Sequence, residues 1–235
     1  KDVRNYSFYL DPKALVSVWV AYPLNKGLIG SGSRTNAWGL DPKVPRACQP
    51  VILGGFRTEN WQPGMEGFQR GHQIPSADRY ARGANEATFY GTNMTPQRGE
   101  LNEKAWASLE GMVRSWAAQF DTLYVVTGAD IKGSKEYALD NDGKKVTVPV
   151  GYFKALLGYK KSGTLGITGT TGGFTATAFY FEHKFYSDNA ILGQSMTIDE
   201  LEARLGYDFF PNLEAKIGKA LADKVESTKD TWWRQ

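Results

Sequence analysis

Between Glu100 and Phe120, apolar side chains return at three- and four-residue steps: Leu101, Ala105, Leu109, Met112, Trp116 and Phe120. This spacing predicts one helix with a single apolar stripe, and such a stripe needs a flat apolar surface to cover it. Several segments can supply that surface. "VSVWVAYPL" (Val16–Leu24) and "TLYVVTGA" (Thr122–Ala129) read as strands, and "FTATAFYFEH" (Phe174–His183) as a third that alternates in its first half. "LDNDGKKVTVPVGYFKALLGYKK" has the form of a hairpin turning at Asn-Asp-Gly. Two shorter helices are expected near Ile198–Leu205 and Leu213–Val225. The expectation is an α+β fold: a mostly antiparallel central sheet flanked by helices, as one domain over residues 1–235.

Composition narrows the class of function. With 235 residues, 41% of them hydrophobic, the chain can bury a sizeable core. Its formal charge of +3 permits an anionic partner without requiring one. Residues 57–114 hold seven Lys/Arg and seven Asp/Glu, so any basic patch has to be made by folding. One cysteine excludes an intrachain disulfide and a Cys-rich zinc site, and two histidines exclude a multi-histidine metal cluster. No apolar run approaches the roughly 20 residues of a membrane span. The opening "KDVRNYSFYL" has no hydrophobic signal segment, which fits a cytosolic protein or one whose targeting segment has been removed.

The chemistry-bearing stretch is "GFQRGHQIPSADR" (Gly67–Arg79), where Arg70, Gly71 and His72 are consecutive. Pro75 and Ser76 follow at once, so this segment reads as the end of a strand. Imidazole titrates near pH 6.5 and is a neutral proton acceptor at physiological pH; Arg70 and a bound cation would both hold His72 neutral. Gly71 would let the backbone approach a bulky polyanion. On the helix, Asn102, Trp106, Glu110 and Arg114 recur every four residues on a face other than the apolar stripe. Asn102 offers a neutral oxygen ligand suited to a hard, largely hydrated ion such as Mg²⁺. Glu110 can orient the ion's waters, and Arg114 can grip a phosphate with two parallel hydrogen bonds. Together these parts make a metal-assisted phosphodiester hydrolase. The glycine-rich loop "NKGLIGSGSRTNAWGLDPKVP" also carries Arg34 and Trp38, residues too large to be filler.

These residues resemble the DNA/RNA non-specific endonuclease family, sugar-non-specific nucleases with a ββα-metal (His-Me finger) site. Its signature is Asp-Arg-Gly-His followed downstream by N-x-T-P-Q and L-N-x-x-x-W-x-x-L-E. This chain has "QRGHQIP" (Gln69–Pro75) and "NMTPQRGELNEKAWASLE" (Asn93–Glu110). Further likeness at "WVAY", "VVTG", "VPVGYFK" and "LGYDFFPNLE" extends it over nearly the whole chain. The resemblance implies a ββα active-site element and Mg²⁺-dependent cleavage of DNA and RNA to 5′-phosphate ends, with Mn²⁺ as a substitute ion. It implies His72 as general base and Asn102 as the one direct protein ligand. Glu110 would fix metal-bound water, and Arg70 and Arg114 would hold the phosphate. Asn93, Gln97 and Arg34 match positions that line the substrate. It also implies an exported protein, periplasmic, extracellular or surface-anchored, with its leader absent. Gln69 departs from the family's usual Asp. One negative charge is missing there, and Gln69→Asp is expected to strengthen metal use.

Other features read as structure. His183, beside Lys184, is structural or exposed. "DNDG" (Asp140–Gly143) begins like a calcium loop, but Gly151 stands where the closing Glu is required, so it is a plain turn. "GTTGG" (Gly169–Gly173) lacks the Gly-Lys-Ser/Thr ending of a phosphate loop, and no Gly-x-Ser-x-Gly elbow is present. Two rival functions remain at this stage: a non-catalytic nucleic-acid-binding module on the same fold, impaired by Gln69, and a carbohydrate-active protein. The second needs two cooperating acids, and only Glu110 is a candidate.

Overall fold

The computed structural model describes residues 5–60, 62, 65, 67–80, 83–161 and 173–234. Among the described residues the strands are, in chain order, β1 (Ser7–Asp11), β2 (Val16–Leu24), β3 (Gln69–His72), β4 (Met94–Gln97), β5 (Thr122–Asp130), β6 (Tyr137–Leu139), β7 (Lys145–Thr147), β8 (Gly151–Tyr159), β9 (Phe174–Glu182) and β10 (Ser195–Met196). Six of them make one sheet in the order β1-β2-β5-β8-β9-β10, with every neighbouring pair antiparallel. The expected sheet is therefore present. Its inner strands β8 and β9 are buried along nearly their whole length. That explains why their sequences do not alternate cleanly: both faces are covered.

One face carries Val20, Tyr22, Leu24, Leu123, Val125, Leu156, Phe179 and Phe181, and the predicted helix lies on it. Leu101, Ala105, Leu109, Trp116 and Phe120 are all buried there as the stripe requires, with Val113 buried and Met112 only partly. The opposite face, with Phe153, Leu157, Ala176 and Ala178, is covered by the C-terminal helices. The first of these, Ile198–Leu205, starts at a reciprocal cap between Thr197 and Glu200 and stops at Gly206, whose φ is 76°. The expected helix over Leu213–Val225 is two helices, Leu213–Ile217 and Lys219–Ser227, because Gly218 turns the chain with φ 84°.

β3 and β4 form a separate antiparallel pair that pairs Gln69 with Gln97 and His72 with Met94. The helix of residues 99–117 follows β4 directly, giving the expected ββα element. This helix is not regular. Asn102–Trp106 is a wide π turn, and Lys104 leaves helical geometry with φ −115° and ψ −111°. Such bulges re-aim side chains near functional sites.

β6 and β7 are the expected hairpin arms. Asp140 spends its carboxylate inward on the backbone N–H groups of Val51, Asp142 and Lys144, so the segment is a turn, as expected, and not an ion loop. Of "GTTGG", residues 169–172 lie outside the described residues.

Candidate active site

The loop around Arg34–Trp38 packs against His72 at the C-terminal end of β3, and the start of the helix 99–117 meets the same strand at Gln69. The imidazole is boxed by two rings, Phe89 edge-on at 5.2 Å and Trp38 at 5.6 Å between centroids. Its Nε2 is buried and finds no hydrogen-bond partner among the described residues. With the ring hydrogen on Nδ1, Nε2 keeps its lone pair for a proton. Burial and then the cation of Arg34 push the His72 pKa down to about 3; the Arg70 backbone opposes this, and the Arg70 charge adds a smaller lowering. His72 is neutral at any physiological pH.

Two cations flank it. The Arg70 guanidinium lies 3.6 Å from the centroid of Trp38 and donates to the carbonyls of Ile52 (3.3 Å) and Leu53 (3.1 Å). Arg34 is exposed; it donates to Asn36 Oδ1 (2.7 Å) and Ser76 Oγ (3.2 Å) and reaches over Phe89 at 4.8 Å. Trp38, marked in the sequence by size alone, thus packs against both the His72 ring and the Arg70 guanidinium.

Gly71 has a role the sequence did not indicate. Its backbone is not in a glycine-only conformation. A Cβ there would stand 2.3 Å from Gln97 Oε1 and 2.6 Å from Gln97 Cβ. The glycine makes room for the neighbouring strand, and the expectation that it clears a path for a polyanion is corrected. Gln97 is wholly buried beneath β3, with its amide nitrogen and oxygen unpartnered among the described residues. Asn93 is also fully buried: it accepts from Ile74 N (3.0 Å) and donates to the carbonyls of Ile74 (2.9 Å) and Thr88 (2.8 Å). It pins the loop that follows β3. Neither amide lines a substrate surface, so both are corrected to scaffold positions.

On the helix, Asn102 donates its Nδ2 to Gln69 Oε1 at 2.7 Å, leaving its Oδ1 as the end that can ligate a cation. Arg114 bonds Asp78 Oδ1 at 3.0 Å, and Asp78 also accepts from Tyr22 OH at 2.8 Å. Trp106 is turned into the core, so the four-residue row is not one exposed face. Instead, Lys154, fully buried on β8, sits 4.5 Å above the Trp106 ring and donates to Thr127 Oγ1 at 3.1 Å.

Glu110 faces this buried charge. Desolvation raises its pKa, Lys154, Arg114 and Arg34 oppose that, and Asp78 adds to it. Burial lowers Lys154, with Glu110 and Asp78 opposing. Asp78 and Lys154 were missed in the sequence. The available signals were a lysine inside the apolar run "GYFKALLGY" and an acid six residues beyond His72.

His183 is structural, as expected. Its Nδ1 bonds the Pro149 carbonyl (2.8 Å) and its Nε2 accepts from Arg98 N (2.7 Å), tying the end of β9 to the start of the helix.

The donor set fits a hard cation held mainly through water. Among the described residues no three His, Cys, Asp or Glu side chains converge, and the available ligand is an oriented amide oxygen.

Similarity to known proteins gives the class. The chain is 31% identical over 210 residues to a nuclease of Nostoc sp., covering 89% of this chain and 72% of that protein. It is 28% identical over 234 residues to mitochondrial endonuclease G of Bos taurus, covering 94% and 72%. To the nuclease of Serratia marcescens it is 27% identical over 208 residues, covering 88% and 73%. Its fold matches a chain of the solved EndoG/EndoGI complex, a study of EndoG inhibition, with a TM-score of 0.66, 21% identity and coverage of 89% and 84%. The protein is a nucleic-acid endonuclease, a hydrolase. Matching over residues 1–216, the chain belongs to the DNA/RNA non-specific endonuclease family.

Proposed function

We propose that this protein, as one domain, is a Mg²⁺-dependent endonuclease that hydrolyses phosphodiester bonds of DNA and RNA with little sequence preference and leaves 5′-phosphate ends. The observation that carries this is the His72 ring: boxed by Trp38 and Phe89, flanked by Arg34 and Arg70, with a buried Nε2 that has no partner among the described residues. A buried acceptor left unpaired costs about 1–3 kcal/mol, which a proton-transfer role explains. His72 Nε2 takes a proton from the attacking water as oxygen bonds to phosphorus and the bond to the 3′ oxygen breaks. Arg34, Arg70 and Arg114 hold the phosphate and its developing charge. Asp78 keeps Arg114 in place on one side of its guanidinium. Glu110, kept near Lys154 and Arg114, orients water at the site.

Asn102 Oδ1 would be the direct ligand of Mg²⁺, or of Mn²⁺ in its place. Held there, the ion would supply Lewis-acid polarisation of the phosphoryl oxygen and would offset charge on the departing oxygen. Low sequence preference follows if contacts go to phosphate and sugar, the groups Arg side chains suit. Export is part of this proposal.

The test is nicking of supercoiled plasmid and cleavage of a structured RNA, each with Mg²⁺, with Mn²⁺ and with EDTA, followed by analysis of the 5′ ends. Cleavage of both nucleic acids, abolished by EDTA and leaving 5′-phosphates, is expected. Undiminished cleavage in EDTA, or binding without cleavage, would refute it; the latter would favour a non-catalytic module.

A further inference from the structure

Gln69 is bonded at both ends of its amide. Its Oε1 accepts from Asn102 Nδ2 at 2.7 Å, and its Nε2 donates to Glu103 Oε1 at 2.5 Å. Consecutive residues on a regular helix point about 100° apart. Here they begin the π turn, and the two ends of one long amide reach both. The fit is specific. A Cβ at Gly99 would stand 2.8 Å from Gln69 Nε2, so the glycine before the helix leaves room for this amide. Gln69 and Glu103 also line one side of a cleft of about 780 Å³, although Asn102 itself does not line it.

An amide at position 69 can accept from Asn102 and donate to Glu103 at once, which a carboxylate cannot. An Asp there could accept from Asn102 but would face Glu103 as a like charge. We infer that Glu103 supplies, through Gln69, the outer carboxylate of the Asn102-centred metal site, so that the Gln69–Glu103 pair stands in for the Asp of the family's usual pattern. The charge is not missing from this chain; it has moved to the helix. The simple expectation that Gln69→Asp improves metal use is replaced accordingly. This inference rests on the reading of Asn102 as the metal ligand.

The experiment is direct binding of Mn²⁺ to the metal-stripped protein at low ionic strength, read by electron paramagnetic resonance of the free ion, without substrate. Glu103→Gln should weaken binding about tenfold, in the range for outer ligand partners. The exchange Gln69→Glu with Glu103→Gln keeps the net charge and both hydrogen bonds. It should return the affinity to within about threefold of the wild type. Glu100→Gln removes the same charge from the same exposed helix start without touching Gln69, and should weaken binding less than Glu103→Gln. The inference is overturned if Glu103→Gln leaves the affinity unchanged, if Glu100→Gln weakens it equally, or if the exchange fails to restore it. If Asn102→Ala binds Mn²⁺ as the wild type does, the metal-ligand reading itself is overturned. If Asn102→Ala abolishes binding and Glu103→Gln has no effect, only the present inference falls.

Discussion

Gly71→Ala separates two explanations of the glycine between Arg70 and His72. The new Cβ would lie 2.3 Å from Gln97 Oε1 and 2.6 Å from Gln97 Cβ. Comfortable contact begins near 3.5 Å, so roughly 1 Å of displacement is required. Gln97 is wholly buried and its Cβ is fixed to the β4 backbone, so the two strands must part. Overpacking of this kind costs about 1–3 kcal/mol, and for a chain of this size each kcal/mol lowers Tm by about 2–4 °C. β3 also carries His72, the proposed base, and a shift of about 1 Å there would lower the rate about 100-fold.

The assay is urea denaturation together with kcat and KM on a defined duplex. Gln97→Ala should suppress the defect. It removes the obstruction and sacrifices packing but no hydrogen bond seen among the described residues. A double-mutant cycle should show a favourable coupling of at least about 1 kcal/mol. If Gly71→Ala is as stable as the wild type and raises only KM, the glycine serves substrate approach after all. If the double variant is no more stable than additivity predicts, the Gln97 contact is not the cause.

His72→Ala should lower cleavage about 100- to 10,000-fold while urea denaturation and duplex binding stay close to wild type; a wild-type rate would remove His72 as base. Affinity for duplex DNA should fall linearly with salt on logarithmic axes and differ little between unrelated sequences, as measured by fluorescence anisotropy; salt-independent binding would contradict phosphate recognition. Burial lowers the His183 pKa to about 4, opposed by its bond to Pro149 and aided by Arg98. The unfolded chain therefore takes that proton first as pH falls below about 6.5. The stability His183 contributes is complete above that pH and lost toward pH 4, at up to about 1.4 kcal/mol per unit. The measurement is the difference in unfolding free energy between wild type and His183→Gln at pH 7.5 and pH 5. In that difference the opposite effect of raised carboxyls such as Glu226 cancels. A pH-independent difference would refute the assignment.

The sequence by itself determined the elements whose periodicity is intrinsic. The helical stripe from Leu101 to Phe120 and the strand Val16–Leu24 are where their spacing puts them, because burying one apolar face requires that spacing. Order and residue type also pointed to the His72, Asn102, Glu110 and Arg114 constellation. What the sequence could not carry is contact between residues far apart along the chain. Gly71 reads as a free hinge until Gln97 is laid across it by the β3–β4 register. Asn93 and Gln97 read as substrate contacts until burial shows them beneath the strand. Lys154 is an isolated cation in an apolar run until the sheet brings it to Trp106 and Thr127. Gln69 reads as a lost charge until the π turn sets Glu103 against it. Local propensity and burial pattern are written residue by residue, whereas the charge balance of a site is a sum over neighbours, and only the tertiary fold decides which residues those neighbours are.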